Sequence, residues 1–156
     1  MSYGQQTDTP IPIVKLNPVN LNTYVTQQLV TLGIKHRVVY LKALGESDAL
    51  TVKDDLTRFM IPAEMDNMVL LGVAAAIYTT SSSGLPAIQV RNGASDMLTT
   101  PITIDVSGLE SYNATTPAVI NGAHQVVAQG DIISIDCDVA GTGTKGLDVV
   151  LTFGAG

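Results

Sequence analysis

Four aspartates close to the C-terminus are the first candidates for chemistry. Asp131, Asp136, Asp138 and Asp148 fall within one stretch, Gly130 to Phe153. Ca²⁺ takes several carboxylate and carbonyl oxygens, so such a group could hold a hard cation. Asp136 and Asp138 are two residues apart and share one side of a strand, and Asp148 would face them from a paired strand. The spacing lacks the DxDxDG pattern of a calcium loop. A solvated acidic face that discourages pairing with foreign strands accounts for the same residues, and no metal ligand set is assigned.

The remaining candidates are weaker. His36, in the trio Lys35-His36-Arg37, and His124, just after Asn121-Gly122, are the two imidazoles. A zinc site needs about four ligands, and neither a cysteine pair nor an HxH is present to supply them. A hydrolase would need a nucleophile with its base, and no GxSxG elbow occurs. No catalytic residue and no cofactor are therefore assigned. Cys137 is the single cysteine, so no intrachain disulfide can form; at an inward strand position it reads as a small core hydrophobe. Gly141, Gly143, Lys145 and Gly146 superficially suggest a phosphate loop. Their spacing is not GxxxxGK[ST], and they lead into a strand, whereas the phosphate loop opens a helix. Tyr40, Tyr78 and Tyr112 could stack on sugar rings, but with no Trp and 4% aromatic residues they read as scattered core and rim side chains.

These residues must be positioned by strands. Ile133, Ile135, Cys137 and Val139 alternate with Ser134, Asp136 and Asp138; Leu147, Val149, Leu151 and Phe153 alternate with Asp148, Val150 and Thr152. Period-2 alternation puts one set against a core and the other outside. The glycine-rich Ala140 to Gly146 between them predicts a β-hairpin with a long loop. Upstream, strands are expected at 38–44 (closed by Gly45 to Asp48), 50–61, 67–79, 85–91, 97–106, 117–120 and 126–127. Ser81 to Gly84, Asn92-Gly93 and Asn121-Gly122 are turns, and 107–116 is an irregular crossing. About eight strands at this spacing predict an all-β, jelly-roll-like sandwich over residues 35–156.

Residues 1–34 differ. Pro10, Pro12 and Pro18 predict an extended arm, and Ile11, Ile13, Val14 and Leu16 are its apolar anchors, expected to lie on a neighbouring subunit or particle surface. Within 20–32, Leu21, Tyr24, Val25, Gln28, Leu29 and Leu32 follow helical spacing, with Asn20 as cap and Gly33 as stop. Thr23, Val25 and Thr26 are β-branched and speak instead for two strands.

Composition narrows the role. Hydrophobic residues make up 46% of the 156, charged residues only 14%, and the formal charge is −6. Charge is thus well below the roughly 25% of an average soluble domain, as suits a subunit that hides surface against neighbours. The eight Lys and Arg are scattered, which argues against nucleic acid. No stretch resembles a secretory signal or reaches the length of a membrane span.

Three stretches carry a resemblance: SSGLPAIQVRN (Ser82 to Asn92), DMLTTPITIDVSGLESYNATTPAVI (Asp96 to Ile120) and GDIISIDCDVAGTGTKGLDVVLTF (Gly130 to Phe153). Together they resemble a group of tailed-bacteriophage virion proteins with a jelly-roll-like β-domain; residues 50–80 match loosely and 1–34 do not. The resemblance implies a non-enzymatic structural component of the virion. The first reading is a capsid decoration, or cement, protein on the outer capsid surface. It would be made in the host cytoplasm, form a homotrimer and bridge units of the major capsid protein. The alternative is a tail or head-fibre module that binds host surface glycan. Neither implies nucleic acid or membrane as partner.

Overall fold

The computed structural model describes residues 36–156. The apolar anchors Ile11, Ile13, Val14 and Leu16 and the helix expected at 20–32 lie outside the described residues. The described residues are all-β, with ten strands and one 3-10 turn, Ala63–Met65. The strands are β1 His36–Ala49, β2 Lys53–Met60, β3 Met68–Ala76, β4 Ala87–Asn92, β5 Ser95–Asp96, β6 Leu98–Thr100, β7 Ile102–Thr103, β8 Val119–Ile120, β9 Ile132–Val139 and β10 Lys145–Ala155.

Two antiparallel sheets form a sandwich. One has the order β1-β10-β3; the other has the order β2-β9-β4-β5, with β7 also on β4. Two isolated bridges, Val69 to Val126 and Ala76 to Glu110, extend the first sheet beyond β3. The chain changes sheet on passing from β1 to β2, β2 to β3, β3 to β4 and β9 to β10, the connectivity of a jelly roll. The core lies between the sheets. Ile133, Ile135 and Cys137 of β9 are buried in one cluster with Leu147, Val149, Leu151 and Phe153 of β10. The Phe153 ring meets Phe59 of β2 edge to face, 6.5 Å between centroids.

The expected terminal hairpin does not form. β9 pairs with β2 and β4, and β10 pairs with β1 and β3. The linker is an arch that carries the chain from one sheet to the other. It is tied to the β3–β4 arch: Ser82 N–H donates to Thr142 O at 3.0 Å and Thr142 N–H to Ser83 O at 2.9 Å. Gly141, at φ 69°, lies so close that a Cβ there would sit 2.9 Å from Ser81 Cβ. A hairpin and an arch both turn their apolar sides to one core, so alternation alone does not separate them.

Smaller departures have local causes. Gly45 to Asp48, expected to close the first strand, form a bulge within β1. Leu44 pairs with Leu147 and Ala49 with Lys145, and Asp48 accepts from Gly45 N–H at 3.1 Å. The strand expected at 97–106 is broken at Pro101, which has no N–H for a ladder. The one expected at 126–127 shrinks to the Val126 bridge.

Candidate interaction surface

The two outer faces of the sandwich differ in chemistry. Residues directly opposite in a ladder share a face. On the three-stranded sheet this places Val38, Thr152 and Gly72 in one row, Tyr40, Val150 and Ala74 in the next, and Lys42, Asp148 and Ala76 in a third. Side chains therefore shrink from β1 across to β3. Val38 is 66% and Tyr40 60% exposed.

The only charged pair in these rows is internally compensated. Tyr78 Oη donates to Asp148 Oδ2 at 2.9 Å, and Lys42 Nζ donates to Tyr78 Oη at 3.4 Å and lies 5.0 Å from its ring centroid. The Tyr78 ring fits because position 146 is glycine, at φ 67°: a Cβ there would come within 2.5 Å of Tyr78 Cδ2. Hydrogen bonding to Asp148, then burial, then the Asp148 charge push the Tyr40 hydroxyl up to about 12. The hydrogen bond with Tyr78 pushes the Lys42 ammonium above its usual range.

Beside β3 lies a cleft of about 250 Å³, walled by Leu71, Gly72, Tyr112, Pro117, Ala118 and Ile120. A shallower one of about 160 Å³ adjoins it over Gly72, Ala74, Val150 and Thr152. The cleft exists because the edge of β3 is covered in two separate places. Gln125 O accepts from Leu70 N–H at 2.8 Å, and Ser111 Oγ accepts from Ala75 N–H at 2.9 Å. Tyr112, 81% exposed, stands over the gap between them.

The outer face of the five-stranded sheet is polar and ion-paired. Asp136, expected in a solvated face, is only 2% exposed. It accepts from Asp55 N–H at 2.8 Å and Ser134 Oγ at 3.2 Å, and its Oδ2 lies 3.5 Å from Arg91 Nη1. Arg91 also pairs with Asp96 at 3.0 Å. β2, laid alongside β9, supplies the cover that strand parity could not reveal. Burial, then Asp136, Asp96 and Asp54, push the Asp138 carboxyl up.

The candidate cation set is dispersed. Asp148 belongs to the opposite sheet and does not face Asp136 and Asp138. Asp131 braces a turn, accepting from Asn92 Nδ2 at 2.6 Å and Ala128 N–H at 2.9 Å. Among the described residues no group of three or more His, Cys, Asp or Glu is placed to hold a metal ion. His36 begins β1, and His124 lies in the turn after Asn121, donating its N–H to Asn121 O at 2.9 Å. Burial pushes the buried Cys137 thiol up to about 11, away from thiolate chemistry. Val139, expected inside, is 44% exposed at the end of β9.

Of the core and rim positions expected for the tyrosines, Tyr40, Tyr78 and Tyr112 take none in the core: all three are exposed. Tyr40 and Tyr78 share one face with Asp148, and Tyr112 overhangs the neighbouring cleft. The parity of Tyr40 with Val38 and Lys42, against inward Val39 and Leu41, was the signal for its position. Tyr112 lies in an aperiodic stretch that carries none. Comparisons of the chain with protein-family models, with curated proteins and with solved structures find no match.

Proposed function

We propose that the protein is a structural component of a bacteriophage virion, a decoration protein on the outer surface of the capsid. It would act without catalysis, as a homotrimer that bridges units of the major capsid protein. The observation that carries this reading is the outer face of the three-stranded sheet. Val38, Tyr40, Val150 and the cleft beside β3 form a surface of aliphatic and aromatic side chains whose one charged pair is internally compensated. Exposed apolar patches rimmed by polar residues mark protein–protein contacts. The jelly-roll sandwich and the three stretches that resemble virion proteins support the same reading. The mechanism is mechanical: bridging adds buried area between capsomers and resists genome pressure. Ile11, Ile13, Val14 and Leu16 of the arm would contribute further anchoring.

The test is electron microscopy of purified particles labelled with antibody to this chain. Copies spread over the whole head are expected. Label confined to a tail structure, or absent from particles, overturns the reading.

One observation favours the second reading, a fibre module that binds host glycan. Tyr40 and Tyr78 expose their rings beside the Asp148 carboxylate, and rings together with carboxylates hold sugars by stacking and hydrogen bonding. A glycan array probed with the full chain separates the two: selective binding lost in Tyr40→Ala supports the fibre, and no binding removes it.

A further inference from the structure

We propose that Asn121 is a self-modification site: in the turn Asn121 to His124 this amide converts to aspartate and isoaspartate without an enzyme, and the product loosens a wall of the cleft beside β3. The inference is independent of any role in a virion. The chain has two Asn-Gly pairs, Asn92-Gly93 and Asn121-Gly122. With no side chain to shield the glycine nitrogen, such pairs close readily into a five-membered cyclic imide. The sequence marks both alike as turns; the fold separates them.

The step balances with water alone. The Gly122 nitrogen gives its proton to hydroxide, attacks Asn121 Cγ and forms a new C–N bond. The bond from Cγ to Nδ2 breaks, and the amide leaves as ammonia with a proton from water, which restores the hydroxide. Water then opens the ring at either carbonyl. Opening at the side-chain carbonyl gives aspartate; opening at the backbone carbonyl gives isoaspartate, in which the chain runs through the former side chain.

Asn92 is held against this reaction. Gly93 N–H donates to Ile132 O at 3.2 Å, and Asn92 Nδ2 donates to the Asp131 carboxylate at 2.6 Å. Asn92 also pairs with Ser95 on one side and Ile133 on the other, so attack requires ladders on both sides of β4 to open. Asn121 meets no such demand. Among the described residues no acceptor takes the Gly122 N–H. β8, which leads into the turn, is two residues long and pairs with β6 alone. Short, solvent-facing pieces of this kind open at the lowest free energy. Gly122, Ala123 and His124 are exposed, so water and hydroxide reach the ring. Ala123 N–H donates to Asn121 Oδ1 at 3.1 Å, the oxygen that becomes anionic when the nitrogen adds, and so stabilises that charge.

The product acts on the cleft. Asn121 Nδ2 donates to Asp96 O at 3.1 Å, and Asn121 N–H to Met97 O at 2.8 Å. Together they fasten the turn to the chain between β5 and β6. Conversion removes the Nδ2 donor and leaves a carboxylate facing the Asp96 carbonyl, two acceptors with no hydrogen between them. Ile120, the preceding residue, pairs with Leu98 and lines the cleft. Loss of the fastening therefore reaches that wall.

Peptide mapping by mass spectrometry on the full chain, kept folded at mildly alkaline pH, tests the reaction. Aspartate and isoaspartate should accumulate at position 121, with position 92 at least about tenfold slower. In denaturant the two rates should converge, since the dipeptides are identical. Gly122→Ala, which has room for its Cβ, should slow position 121 about tenfold. A retained amide at 121, comparable rates at the two positions in the folded chain, a tenfold difference that persists in denaturant, or undiminished conversion in Gly122→Ala overturns the proposal. Hydrogen exchange on Asn121→Asp tests the consequence. Protection of the amide at position 121 should fall about fivefold, the factor that one ordinary hydrogen bond represents, while β9 and β10 keep theirs. Unchanged protection at position 121 overturns the loosening of the wall.

Discussion

Asp136 and Asp148 occupy outward positions on the central strands of opposite sheets, yet their surroundings give them different roles. Asp148 lies beside Tyr40 and Tyr78 and raises the Tyr40 hydroxyl. The Tyr40 hydroxyl, raised from 10.0 to about 12, holds its proton more firmly in the folded chain than in the unfolded one. The stabilising contribution is therefore complete below about pH 10 and is lost as the pH rises through about 12. Absorbance at the tyrosinate band should show one of the five tyrosines titrating late, and Asp148→Asn should bring it back towards the others. Asp136 is buried and depends on Arg91. Replacing Arg91 with Met leaves the carboxylate with the Asp55 N–H and Ser134 Oγ alone. Arg91 keeps a third of its side chain exposed, so losing it as the partner of buried Asp136 should cost about 1–3 kcal/mol, and urea unfolding at neutral pH should show it.

Strands were legible from the sequence where alternation was clean, and their partners were not. Ile133, Ile135, Cys137, Leu147, Val149, Leu151 and Phe153 all lie in the core on the faces that period-2 reading gives them. Which strand each would pair with depends on whether the glycine linker folds back within a sheet or arches between sheets. That choice is made by the Ser82–Thr142 and Ser83–Thr142 contacts, between residues about sixty positions apart. Edge features were the least visible: Tyr112 and the wall residues Pro117 and Ala118 sit in irregular chain, where no period marks a face. The face assignment has a direct check. Leu151→Ala should cost about 2–5 kcal/mol through the cavity it leaves. Val150→Ala, one residue away and turned outward, should cost at most about 1 kcal/mol. Equal losses in denaturant unfolding would mean that β10 is not divided between core and surface.

At the scale of the whole molecule, low charge content and a net charge of −6 set opposing tendencies. Net charge keeps copies apart at long range, while the aromatic and aliphatic face of the three-stranded sheet favours contact at short range. Screening acts on the first and hardly on the second: the Debye length falls from about 10 Å at 0.1 M salt to about 3 Å at 1 M, whereas apolar burial does not depend on ion pairs. Ion pairs across an interface would behave in the reverse way. The surface ion pairs among the described residues, such as Lys42–Glu46 at 3.8 Å, join residues of one copy. Assembly of the full chain should therefore hold or strengthen between about 0.1 M and 1 M sodium chloride when followed by sedimentation. Dissociation on adding salt would show that opposite charges bring the copies together, and the contact would then have to be sought among Arg58, Arg91 and the acidic residues of the five-stranded sheet.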